Sequence, residues 1–184
     1  SYLIVRPPAE GGNVLVDSPR FSAPLVRRIE EMGGVRLFFL SHRDDIADHA
    51  RFAEHFHCPR LMHHGDGAAR LGIERVITGN SPVRLDDDLT LIPTPGHTRG
   101  HQVLLYKDRV LFTGDHLARS SDRETLTAHR NHCWDSWSTQ TRSMERLLAY
   151  SFEWVLPGHG RIGHAPVDEM HQHLQTCIAW MKTA

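Results

Sequence analysis

The stretch "IPTPGHTRGH", residues 92–101, starts as the end of an apolar strand and finishes as a turn carrying two histidines. Pro93, Pro95 and Gly96 bend the chain, and His97 and His101 follow at once. A rigid strand that hands off to a loop is a common place for binding chemistry. A single Gly-His turn is ordinary turn chemistry, but the arrangement recurs in "LSHRDDIADH" (40–49), "LFTGDHL" (111–117) and "VLPGHG" (155–160). Four strand-then-ligand segments in one chain point to a site.

Working outward, apolar, β-branched runs bounded by Gly, Pro and Asp recur: "YLIV", "NVLVD", "VRLFFLS", "RLMH", "LTLIPT", "QVLLY" and "RVLFTGD". They read as strands. Pro24 fits a first helical position, with Leu25, Ile29 and Met32 on one face and Gly33-Gly34 as a stop. A second helix is expected to start at Asp44 or Asp45, either of which can cap it, with Ile46, Ala50, Ala53 and Phe56 as its apolar stripe before Pro59. After residue 136 come a helix through Trp137, Met144, Leu147 and Leu148, a strand "EWVLP", and a last helix at about 166–182 carrying Val167, Met170, Leu174, Ile178 and Met181. This order predicts an α/β sandwich with two sheets packed together and helices outside.

The 184 residues suit one domain, 1–184, with no visible linker. A hydrophobic content of 40% and a charged content of 23% are those of a globular chain, and no apolar run is long enough for a membrane span. The net charge of -1 gives no push toward nucleic acid or anionic membranes, so the expected partner is a small molecule, with oligomeric state open. Cys58, Cys133 and Cys177 form neither a CxxC pair nor an even disulfide framework. That favours a reducing, cytoplasmic compartment, although a chain beginning at Ser1 leaves an upstream segment open. Of the 15 histidines, the pairs His55/His57, His63/His64 and His171/His173 read as solvated surface.

The four segments together resemble the metallo-β-lactamase superfamily, glyoxalase II-like branch, over almost the whole chain from "SYLIV" to "VLPGHG". The resemblance implies an αββα sandwich of two mixed sheets with helices on the outer faces. It also implies one or two divalent metals, zinc first, with iron or manganese as alternatives. Carried onto matching positions, the metal ligands are His42, His97, Asp115 as a bridging and catalytic carboxylate, and His159. His101 becomes a supporting or pocket residue, and Asp17 of "LVDS" resembles the family's loop-supporting aspartate. Imidazole and carboxylate suit a borderline Lewis acid that keeps a position open for water.

The chain departs from the family where His-x-His-x-Asp-His is expected. Aligned without a gap, the second histidine falls on Asp44, the aspartate on Ile46 and the last histidine on Ala47. With two extra loop residues, Asp48 and His49 supply the missing pair. The alternative is that Asp45 caps the helix, Asp48 supports its first turn and His49 packs nearby. Asp44 resembles the glutamate of the flavodiiron branch, an oxygen ligand that favours iron or manganese, but no flavodoxin-like domain accompanies it here. Arg43 is also placed to pair with Asp44 or Asp45.

These features imply a metal-dependent hydrolase that acts through metal-activated water on an ester, thioester or lactone carbonyl, with Asp115 orienting the nucleophile or taking its proton. The competing reading is a non-catalytic, sensor or redox protein of the same fold with a degraded single-metal or empty site. Glutathione thioesters are not specifically indicated, since one evident helix follows "PGHG". In "HRNHCWDSWSTQ", residues 129–140, His132 is a candidate polar contact and Trp134 or Trp137 a candidate pocket wall, or else the tryptophans cover the core. Nothing in the sequence sets a base beside Cys133 to make it a nucleophile.

Overall fold

The computed structural model describes residues 1–184 as two units, Ser1–Thr78 and Gly79–Ala184, each built around its own sheet. In the first unit Tyr2–Ile4 (β1) pairs antiparallel with Val14–Val16 (β2). From β2 the order continues through Leu37–Phe39 (β3), Arg60–His63 (β4) and Arg75–Ile77 (β5), all parallel. Parallel neighbours need crossovers, and Ala23–Glu31 (α1) and His49–Phe56 (α2) supply the first two. Leu15, Phe38 and Met62 on one face of the sheet pack with Val26 and Ile29 of α1 and Phe52 of α2. Val14, Val16, Phe39 and Leu61 alternate with them and are buried as well. Burial of both faces explains why these strands read as continuous apolar runs.

The second unit holds Val83–Arg84 (β6), Leu89–Pro93 (β7), Gln102–Tyr106 (β8), Val110–Gly114 (β9), Ala118–Arg119 (β10) and Leu126–Thr127 (β11). Trp137–Leu147 (α3), Trp154–Pro157 (β12), Gly163–His164 (β13) and Val167–Thr183 (α4) complete it. The six-stranded order is β13-β12-β9-β8-β7-β6, with β9 and β12 parallel and the other pairs antiparallel. Strands β10 and β11 form a separate two-stranded ribbon. Ile92, Val103, Leu105, Leu111 and Val155 make the core with Met144 and Leu147 of α3 and Leu174 and Ile178 of α4. Ser136 caps α3, its Oγ accepting the Thr139 N–H at 3.3 Å. No helix is long and apolar enough to cross a membrane.

The eight strands expected from sequence are all present, as are the helices at Pro24 and beyond residues 136 and 166. The second helix differs from its expectation, starting at His49 and not at Asp44 or Asp45. Residues 43–48 are held in a non-helical course by long-range bonds. The Arg43 N–H donates to Asp66 Oδ2 at 3.0 Å, and the Asp45 carbonyl accepts the Ser18 N–H at 3.0 Å. Asp48 is the N-cap residue but makes no side-chain cap, because its Oδ2 accepts the Phe21 N–H at 2.8 Å.

Candidate functional site

In the first unit the site residues follow β3. Asp17, just after β2, has a left-handed backbone (φ 55°) and a buried carboxylate. That carboxylate accepts the Ser41 N–H at 2.7 Å and the Ser41 Oγ–H at 2.9 Å. With its one proton directed to Asp17, Ser41 Oγ accepts at 2.9 Å from His42 Nδ1, so Nε2 carries the lone pair of the His42 ring. Burial pushes the Asp17 carboxyl up to about 6, opposed by the His42 ring and the Ser41 bonds. Non-glycine residues in the left-handed region are uncommon, and the bonds to Ser41 offset that cost here.

His42 is fully buried, and its Nε2 lies 3.8 Å from Asp44 Oδ2. Arg43 Nε lies 3.8 Å from Asp44 Oδ1. His49 Nδ1 accepts from Arg60 Nη1 at 3.0 Å, and burial followed by the Arg60 charge lowers the His49 pKa. Asp48 and His49 thus direct one side-chain atom each to neighbours within the unit.

In the second unit backbone pairing brings the ligand types together. Pro157 is the partner of Gly114 on parallel β12 and β9, and the Gly158 N–H donates to the Gly114 carbonyl at 2.7 Å. Asp115 and His159 therefore leave adjacent strands side by side, with His159 Nδ1 at 2.8 Å from Asp115 Oδ1. The other carboxylate oxygen, Asp115 Oδ2, lies 3.1 Å from the same His159 nitrogen and 4.0 Å from His97 Nε2. His97 sits in the β7–β8 turn, which is strapped down by the Trp134 N–H on the His97 carbonyl (2.8 Å) and the Ser136 N–H on the Gly96 carbonyl (2.9 Å). Gly96 is required there: a Cβ would stand 2.3 Å from the Gln140 backbone, at φ 139°.

Beneath His97 lies a group of buried imidazoles. His101 Nδ1 is 2.9 Å from Thr94 Oγ1, its ring is 5.6 Å from His97, and it stacks on His116 at 5.2 Å. His116 was not singled out by the sequence. Both of its ring nitrogens are buried without a hydrogen-bond partner, and burial, then the neighbouring His97, pushes its pKa down to about 3. It is a neutral ring at neutral pH.

A cleft of about 360 Å³ opens at this point, walled by Asp115, Leu117, Ala118, His129, His132 and His159. His132 is thus a cleft residue. Trp134 touches His132 edge-on at 6.0 Å between ring centres but is 57% exposed. Trp137 packs on the core and donates from Nε1 to the Met181 carbonyl at 2.9 Å. Cys133 Sγ donates to the Gly96 carbonyl, and burial raises its pKa, which leaves it a poor nucleophile.

No known family model matches the chain. A hydroxyacylglutathione hydrolase of Mesorhizobium japonicum is 28% identical over 120 residues, covering 62% of this chain and 47% of that protein. One of Salmonella paratyphi A is 31% identical over 122 residues, covering 64% and 47%. The chain thus spans about half the length of these relatives. Among solved structures, the B3 metallo-β-lactamase BLEG-1 superposes with a TM-score of 0.73 at 18% identity, covering 95% of this chain and 92% of that one. TTHA1623, in a di-iron-bound form, gives 0.64 at 22% identity, covering 89% and 88%.

This chain has the metallo-β-lactamase fold.

Within that fold the donor set of the second unit suits a metal: two imidazole nitrogens gather around one carboxylate, which is borderline-metal chemistry. In the first unit the tautomer fixed by Ser41 presents His42 through Nε2, as the partner of a ligating histidine does. A metallo-β-lactamase-fold chain also explains why each of these residues follows a strand end, where the backbone is fixed by pairing.

Proposed function

We propose that the chain is a metal-dependent hydrolase of ester, thioester or lactone substrates. The observation that carries the reading is the convergence of His159, at 2.8 and 3.1 Å from the two oxygens, and His97, at 4.0 Å from Oδ2, on the Asp115 carboxylate just beyond strand ends. In the second unit His97, Asp115 and His159 would hold a divalent metal, zinc or else iron or manganese, and in the first unit His42 presents Nε2 as a metal ligand would. When bound, such a metal polarises a carbonyl and acidifies water. Asp115 then serves as the proton acceptor or orienting group for the attacking water, and the Asp17–Ser41 pair keeps His42 in its tautomer. His129 and His132 border the cleft in which a small-molecule carbonyl would sit. The similarity to hydroxyacylglutathione hydrolases supports a thioester as the first substrate to try.

The test is steady-state hydrolysis of an ester and thioester panel by the metal-loaded protein, with Asp115→Asn as control. Turnover that falls about 100-fold or more in a folded variant is expected; equal turnover in the two proteins would refute the reading. One observation favours a second reading, a metal-binding protein of this fold without hydrolytic activity. Asp48 and His49 each make a hydrogen bond within their own unit, to the Phe21 N–H and Arg60, and that reduces what they offer a second metal.

A further inference from the structure

Next to the Asp115 cleft lies a larger one of about 500 Å³, and the two share His129 and His132 as walls. Arg119, Arg130 and Arg161 line the larger cleft together with Trp180. Arg119 and Arg161 are partners in an isolated antiparallel bridge, the Arg119 N–H donating to the Arg161 carbonyl at 2.9 Å. Directly opposed residues project to the same side of a sheet with Cβ atoms about 5 Å apart, where like charges repel. No carboxylate compensates them. The acid of this cleft, Asp122, is held by Ser120 Oγ at 2.6 Å and by Arg123 Nε at 3.9 Å. Arg161 Nη1 makes one long contact, 3.4 Å, to the Ser121 carbonyl, and the Arg130 guanidinium lies 5.9 Å from the Trp137 ring centre.

We propose that Arg119, Arg161 and Arg130 form a subsite for a carboxylate carried by the substrate, so that the natural substrate is an anionic acyl compound. For its reacting end the inference rests on the hydrolase reading above. The spacing follows from chain connectivity. Arg161 is two residues beyond His159 and Arg119 four beyond Asp115, so their Cα atoms lie at most about 7 and 14 Å from those residues. An acyl chain with its carbonyl beside Asp115 and His159 and its carboxylate several methylenes away spans that distance. Guanidinium forks bind carboxylates in two-point fashion, and His129 and His132, shared by the two clefts, border the path of the chain between.

The experiment compares mono-(4-nitrophenyl) suberate with mono-(4-nitrophenyl) suberamate, which share the reacting ester and differ only in a terminal carboxylate against a carboxamide. The expected result is a kcat/KM about 10-fold or more higher for the anionic ester, carried by KM. In Arg119→Gln/Arg161→Gln the ratio of the two specificity constants falls toward one. A ratio near one in the unaltered protein, or one unchanged in the variant, overturns the inference while leaving the hydrolase reading in place. If neither ester is hydrolysed, the hydrolase reading fails and suberate binding by calorimetry decides the subsite. Binding that is weakened at least about 10-fold in the variant supports it, and absent or equal binding overturns it.

Discussion

Asp115 Oδ1 and His159 Nδ1 stand 2.8 Å apart because Gly114 and Pro157, just upstream of each, are partners on parallel strands. Register, and not a chain of side chains, aligns this pair. The His159 side chain is 72% exposed, so it contributes little to the fold. His159→Ala should change stability by less than about 0.5 kcal/mol while weakening metal binding at least about 10-fold. Chelator competition and urea denaturation on the same samples measure both. Loss of stability without loss of metal would reverse the assignment.

Gly96 predicts the opposite kind of result. In Gly96→Ala the new methyl would lie 2.3 Å from the backbone N and Cα of Gln140, atoms that α3 holds in place. The expected cost is about 2–4 kcal/mol. A midpoint in urea equal to that of the unaltered protein would show that the β7–β8 turn and α3 are not packed as described.

Ser41 couples Asp17 to His42 through one hydroxyl. Ser41→Ala leaves Asp17 the Ser41 backbone N–H but removes the acceptor of His42 Nδ1. It should cost about 1–2 kcal/mol of stability and weaken metal binding about 10- to 100-fold. Carbon-detected or nitrogen-detected NMR of the His42 ring reads the tautomer directly; an Nδ1 proton retained in the variant would mean that Ser41 does not set it.

The acid limb of stability should involve Glu74, far from these ligands in sequence. Its carboxylate accepts from Arg60 Nη2 (2.6 Å), Nε (3.1 Å) and backbone N–H (2.7 Å), and these bonds hold its pKa down to about 2 from an ordinary 4.5. A depressed acid pKa gives stability that is present above pH 4.5 and lost as pH falls toward 2. Glu74 is about half exposed, so solvent screening reduces the size of this effect. Glu74→Gln should flatten that window and, by leaving the buried Arg60 guanidinium with weaker partners, cost about 1–3 kcal/mol at pH 7. Parallel stability curves of the two proteins between pH 2 and 5 would count against it.

Much of the fold was legible because its central strands are buried on both faces, so "VRLFFLS" and "LTLIPT" stand out as apolar runs. The short strands β5, β6, β10, β11 and β13 were not, since two or three residues at an edge, as in the largely exposed Arg75–Ile77, carry no pattern. The start of α2 was misplaced because Asp44 and Asp45 have the letters of a cap, while the backbone there answers to Ser18 and Asp66, distant in sequence. His97, Asp115 and His159 could be chosen as candidates from the turns that carry them. Nothing in the letters marks His116, whose unpaired burial is a tertiary fact, or joins Arg119 to Arg161 across a bridge.

The central claim is that these donors hold a metal, and metal content per chain by elemental mass spectrometry tests it most directly. Untagged protein is compared with a His97→Ala/Asp115→Asn variant, so that surface histidines cancel. The account predicts at least one metal per chain in the unaltered protein that is missing from the variant. Equal metal content in the two, with both folded, would contradict it.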